Sequence, residues 1–175
     1  MKRWSKILFL IILFSNSYKC IAQEENYENY ESPAGLNNAF IELGGAAIKF
    51  SLNYEKYLWR NRYENVTITG RVGAGYQFND RWILNRIYLE QGSFLFPITF
   101  QGLIGSGKNK LELGGGFTML TSNFAEAELI PSGVLGLRVM ESNGVCFRIT
   151  YTPLIKDTEF INWLGVSLGY NFSFK

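Results

Sequence analysis

From Ala39 towards its C-terminal end the chain alternates bulky apolar side chains with small or polar ones, segment after segment, and shows no helical period. The closing stretch GVSLGYNFSFK, residues 165–175, displays the pattern most clearly. Successive side chains of a strand point to opposite faces. Leu164, Val166, Leu168, Tyr170, Phe172 and Phe174 therefore share one side, and Gly165, Ser167, Gly169, Asn171 and Ser173 the other. The same period runs through Ile48, Phe50, Leu52 and Tyr54, through Val66, Ile68, Val72, Ala74 and Tyr76, and through Phe94, Phe96, Ile98 and Phe100. It continues in Leu111, Leu113, Phe117 and Met119, in Leu135, Leu137 and Val139, and in Val145, Phe147, Ile149 and Tyr151. These segments predict an all-β, antiparallel fold.

The connections narrow the choice. Those at 59–62, 105–109 and 142–144 are short, and those near 78–92, 122–132 and 155–160 are longer. Alternating tight turns and long loops are the pattern of an up-and-down transmembrane β-barrel, with short periplasmic turns and longer extracellular loops. A strand at 47–58 then needs an ascending partner, and Ala39–Leu43 supplies one through a tight turn at Gly44 and Gly45. That makes eight strands with both ends in the periplasm. One long bulged strand over 39–58 is the alternative.

A soluble eight-stranded carrier would turn its apolar face inward, and an outer-membrane barrel turns it to lipid. Side-chain size favours the membrane. The polar face carries Gly73, Gly75, Gly114, Gly116, Gly136, Gly165 and Gly169 with many Ser and Thr, which suit a narrow interior better than a water-facing surface. Aromatic residues gather near strand ends, at Tyr57, Trp59, Tyr76, Phe78, Trp82, Phe94, Trp163, Tyr170 and Phe172, as interfacial girdles do. With the polar face inside, Glu42, Lys49, Glu55, Arg71, Glu112, Arg138 and Arg148 point into the lumen, four positive against three negative. Unpaired, each would be costly. A salt-bridge network that plugs the barrel is the expectation, in preference to a charged selectivity ring, because eight strands leave room only for side chains. Spacing does not assign the pairs.

The N-terminal segment reads differently. Lys2, Arg3 and Lys6 precede an apolar run from Ile7 to Phe14, and a polar stretch leads to Cys20, Ile21 and Ala22, which is the order of a secretory signal peptide over residues 1–22. The run is too short to span a bilayer as a helix. Lys19 stands where a lipoprotein signal wants a small residue before its cysteine, so lipidation at Cys20 is the weaker expectation. Residues 23–36, rich in Glu, read as a flexible acidic tail, and residues 37–175 as the barrel. Cleavage removes four cations and no acid, so the formal charge of +2 becomes −2. Nothing then favours a nucleic-acid partner. Cys146 remains alone after cleavage, so no intrachain disulfide is expected.

On the terminal strand, Ser167, Gly169, Phe172 and Phe174 resemble the polar-x-Gly-x-x-aromatic-x-aromatic signal that the outer-membrane barrel assembly machinery recognises in its clients. Those signals usually finish on the aromatic residue, and here Lys175 follows. From about Ala39 the chain resembles small OmpX/OmpW-type outer-membrane barrels. The resemblance implies fold, address and assembly route rather than an activity.

Catalytic chemistry is sparse. The chain contains no histidine, whereas the enzymes among small outer-membrane barrels resemble one another in relying on a catalytic one. Glu42, Glu55 and Glu112 form no paired constellation, so no enzyme is expected. Gly102–Asn109, GLIGSGKN, has a phosphate-loop spacing up to Lys108, but Asn109 stands where Ser or Thr should, and a strand pattern follows instead of a helix. It reads as a hairpin turn. No metal or cofactor site is expected. The segment 78–91 exposes Trp82, Ile83, Arg86 and Tyr88 as candidate contacts for a protein or for lipopolysaccharide, unless strands simply extend there. The expected function is non-enzymatic: a monomeric barrel with a role in envelope structure or surface interaction, in contact with outer-membrane lipid, lipopolysaccharide and the barrel assembly machinery. A narrow conduit for small amphipathic solutes is the alternative.

Overall fold

The computed structural model describes residues 37–63, 65–76, 92–122, 126–156 and 158–173. The expected signal peptide, the acidic tail, the candidate contacts Trp82, Ile83, Arg86 and Tyr88, and Phe174 all lie outside them. The strands are β1 (Asn37–Gly44), β2 (Phe50–Arg60), β3 (Val66–Tyr76), β4 (Phe94–Ile104), β5 (Asn109–Ser122), β6 (Glu126–Met140), β7 (Val145–Tyr151), β8 (Leu154–Lys156), β9 (Glu159–Ile161) and β10 (Leu164–Phe172).

Every pairing is antiparallel, and β5 pairs with β6 to close the sheet. Eight strands, β1 to β7 and β10, form the wall. β8 and β9 make a small hairpin that joins β6 at Ser132–Leu154. Residues 39–58 are thus two strands, paired from Asn37–Lys56 to Leu43–Phe50. Gly44 and Gly45 turn the chain with φ of 77° and 66°, values that glycine adopts without the steric cost of a Cβ.

The register fixes the stagger of the wall. Lumen-facing partners traced from Ser51 through Gly75 and Leu95 arrive at Leu120. Traced the other way, through Glu42, Ser167, Arg148 and Arg138, they arrive at Lys110, ten residues lower on the same strand. Such a stagger requires tilted strands, about 35–45° from the axis. The apolar row faces outward, with Leu137 64% and Leu168 61% exposed on the isolated chain. The polar row faces inward, with Glu55 and Arg138 completely buried. This arrangement is the reverse of a soluble carrier.

Three expectations about the strands of the wall need correction. The connection near 122–132 is not a long loop: β6 already begins at Glu126, leaving residues 123–125 between two long strands. β2 begins at Phe50 rather than at residue 47, because Gly45–Ala47 form a 3-10 turn and Ile48 has φ of 71°. Tyr57 lies on the lumen side and not in an outer girdle, since it has the parity of Ser51, Asn53 and Glu55. Its neighbour Lys56 occupies the outward position.

Candidate functional site

The interior is layered. In its middle, among the described residues, Arg71, Arg138 and Arg148 meet Glu42, Glu55 and Glu112. Arg138 holds Glu55 in a two-pronged contact, with Nη1 at 2.6 Å from Oε1 and Nη2 at 2.8 Å from Oε2. It also holds Glu112, from Nε to Oε2 at 3.2 Å and from Nη2 to Oε1 at 3.1 Å. Arg148 donates to Glu55 Oε2 at 2.9 Å and to Asn38 Oδ1 at 2.7 Å. Arg71 pairs with Glu42, and its Nε donates to Asn53 Oδ1 at 3.1 Å.

Strand order gives these bonds their meaning. Glu55 is on β2 and Arg138 on β6, four strands apart in either direction around the ring, so their contact crosses the diameter of the lumen. Tyr57 and Met140 repeat the crossing nearer the turn end, with Oη 3.5 Å from Sδ. Phe40, also inward, stands between two of the guanidinium groups. Its ring centroid is 4.8 Å from the Arg71 Cζ and 3.8 Å from the Arg148 Cζ, positions in which the ring's negative face attracts cations. Opposite Phe40 on the next strand is Gly169, where a Cβ would come within 2.4 Å of the Phe40 Cβ.

At the loop end the interior becomes apolar. Ala47, Ile48, Leu95, Leu120, Ile130, Leu154 and Ile161 form one buried cluster, with Trp163 packed against it. Two hydrogen bonds fasten the inward turn: Thr118 Oγ1 donates to the Ala46 carbonyl at 2.7 Å, and Trp163 Nε1 donates to the Ile48 carbonyl at 2.8 Å. Gly45 lies so close to Glu42 that a Cβ there would meet its carboxylate carbon at 2.3 Å. A β-branched residue with positive φ is a strained outlier, and Ile48 is held in that state by the packing around it.

The seven charges expected in the lumen separate here. Glu42, Glu55, Glu112, Arg71, Arg138 and Arg148 form the cluster, three against three. Lys49 sits half-buried in the turn before β2, one residue short of the strand. Lys110, which the sequence reading omitted, is inward at the turn end, with Nζ 3.0 Å from the Gly105 carbonyl. Asn38, Phe40 and Asn53 were also missed as members of the cluster. Parity was the available signal, since Asn38 and Phe40 alternate with Glu42, and Asn53 with Glu55. Trp163, expected in a girdle, instead packs inward.

On β10, Ser167 and Gly169 face the lumen and Phe172 is half-buried near the end of the strand. Cys146 is a buried free thiol. Among the described residues no group of His, Cys, Asp and Glu could hold a metal ion. The phosphate-loop look-alike is the β4–β5 turn, with Asn109 opening a strand.

No protein-family model matches the chain, and no curated protein matches it in sequence. Among solved structures, it is similar to the Yersinia pestis outer membrane protein Ail, whose backbone structure was determined in a phospholipid bilayer nanodisc. The TM-score is 0.53 at 12% identity, over 79% of this chain and 99% of that one. At that identity the likeness is one of fold, and the fold is the closed eight-stranded antiparallel barrel of small outer-membrane proteins.

Proposed function

We propose that the chain is an integral outer-membrane barrel protein without enzymatic activity, with a plugged lumen and a role in envelope structure or surface interaction. The Ail-like fold supports the outer-membrane barrel. The observation that carries the plugged lumen is the inward turn Gly45–Ile48, which contacts β3, β4, β5 and β10 and lies against Glu42. The diametric Glu55–Arg138 contact supports it from below. An eight-stranded interior is wide enough only for side chains, and here large ones bridge it.

Each lumen glutamate is ion-paired, and the chain has no histidine, which favours a structural role for these groups over acid/base chemistry. The expected partners are outer-membrane lipid, lipopolysaccharide and the barrel assembly machinery, with the protein itself a monomer and its signal peptide removed. Planar-bilayer recording of the purified protein tests the plug: no conductance above the lipid baseline is expected. Reproducible, solute-dependent passage would overturn it in favour of the narrow conduit.

A further inference from the structure

The outward row of β2 reads Phe50, Leu52, Tyr54, Lys56 and Leu58, so an ammonium interrupts an apolar stripe. A lysine on a lipid-facing row is costly at the bilayer midplane and tolerated near an interface, where its stem lets the charge reach the headgroups. Lys56 is four residues from the end of β2 at Arg60, and further cations and aromatics follow it there. Arg62 is exposed, Tyr63 is 82% exposed, and Trp59 also faces outward beside Leu58, where the β2–β3 register slips. Arg60 lies over the Tyr57 ring, 5.7 Å from its centroid. From Lys56 to Asn65 the sequence holds three cations against Glu64. Across the barrel, the β6–β7 turn presents Glu141, Ser142 and Asn143, so the basic character is local to one side.

We infer that the β2–β3 hairpin binds the headgroup of an anionic phospholipid in the leaflet around the turn end, through Lys56 and Arg62, with Trp59 and Tyr63 at headgroup depth. Aromatic side chains settle at that level, and headgroup phosphates accept charge-assisted hydrogen bonds from cations of this kind. The inference rests on the membrane-barrel function proposed above.

The test reconstitutes the full chain in nanodiscs of phosphatidylcholine with 30% phosphatidylglycerol and measures co-purified lipid by native mass spectrometry. The chain and its Lys56→Gln/Arg62→Gln variant are compared at low and high salt. Retention of phosphatidylglycerol over phosphatidylcholine is expected, at about five-fold per cation at low salt, and it should fall by at least about five-fold in the variant. Lys56→Arg/Arg62→Lys should keep the preference. Equal retention of both lipids by the unaltered chain, or an unchanged preference in the Gln variant, overturns the inference. A heat-modifiable barrel with no lipid preference leaves the proposed function standing, whereas failure to form that barrel in bilayers removes both.

Discussion

Replacing Arg138 with methionine should be the most damaging loss of a single charge in the lumen. The guanidinium is completely buried and contacts two carboxylates at 2.6–3.2 Å. Arg138→Met preserves most of the side-chain volume but leaves three Glu facing two Arg. Glu55 keeps Arg148 at 2.9 Å, while Glu112 loses its ion-pair partner. Breaking a buried pair by removing one member costs about 3–5 kcal/mol, because the remaining charge is desolvated without compensation. That corresponds to roughly a 100- to 5,000-fold change in the unfolding constant. The double variant Arg138→Met/Glu112→Gln restores two against two, so it should recover at least about half of the loss; a coupling of this size is expected for groups in direct contact. The assay is equilibrium urea unfolding in phospholipid vesicles, followed by tryptophan fluorescence and by the gel mobility of unboiled samples. Two results would refute the reasoning: Arg138→Met within about 1 kcal/mol of the unaltered chain, or a double variant no more stable than the single one.

The remaining expectations address the other layers. Gly169→Leu should abolish the heat-modifiable form on gels, since its side chain would occupy the space of Phe40; a Leu variant that still folds and migrates normally would show that the lumen has room to spare. Trp163→Phe removes the hydrogen bond to the Ile48 carbonyl and should cost about 1 kcal/mol in the same unfolding assay, with a rise in solute leak from liposomes as the inward turn loosens. Leu154→Ala, in the buried loop-end cluster, should cost about 2–5 kcal/mol. Leu168→Arg should cost up to about 2–4 kcal/mol in bilayers, according to its depth in the membrane; a water-facing site would tolerate it, so a neutral result there argues against the membrane barrel.

Parity of the alternation was enough to assign most side chains to a face, because a strand's period of two leaves no freedom between neighbours. Read strictly, it also placed Tyr57 and Phe40 inside, although their aromatic character suggested a girdle for the one and drew no notice to the other. Parity failed at Ala46, Ala47 and Ile48. There the backbone leaves the extended region, and no count along the sequence survives a residue with positive φ. The acidic stretch near 122–132 misled for a different reason: its polar composition resembles a loop, yet the partner strand continues and extends the ladder up to Ser122–Glu126.

Local alternation and composition were enough for an antiparallel barrel wall and a polar inner face with nearly balanced charge, but they left residues 39–58 as either two strands or one, and the β1–β2 pairing made it two. That Glu55 meets Arg138, 83 residues away and across the lumen, follows from the closed ring, whose ten-residue stagger sets which heights coincide. The tertiary structure also decided that the first tight turn folds inward onto an apolar cluster instead of outward into solvent. Ile48 can hold its strained backbone there because Leu95, Leu120, Leu154 and Trp163, from four separate parts of the chain, converge on one place.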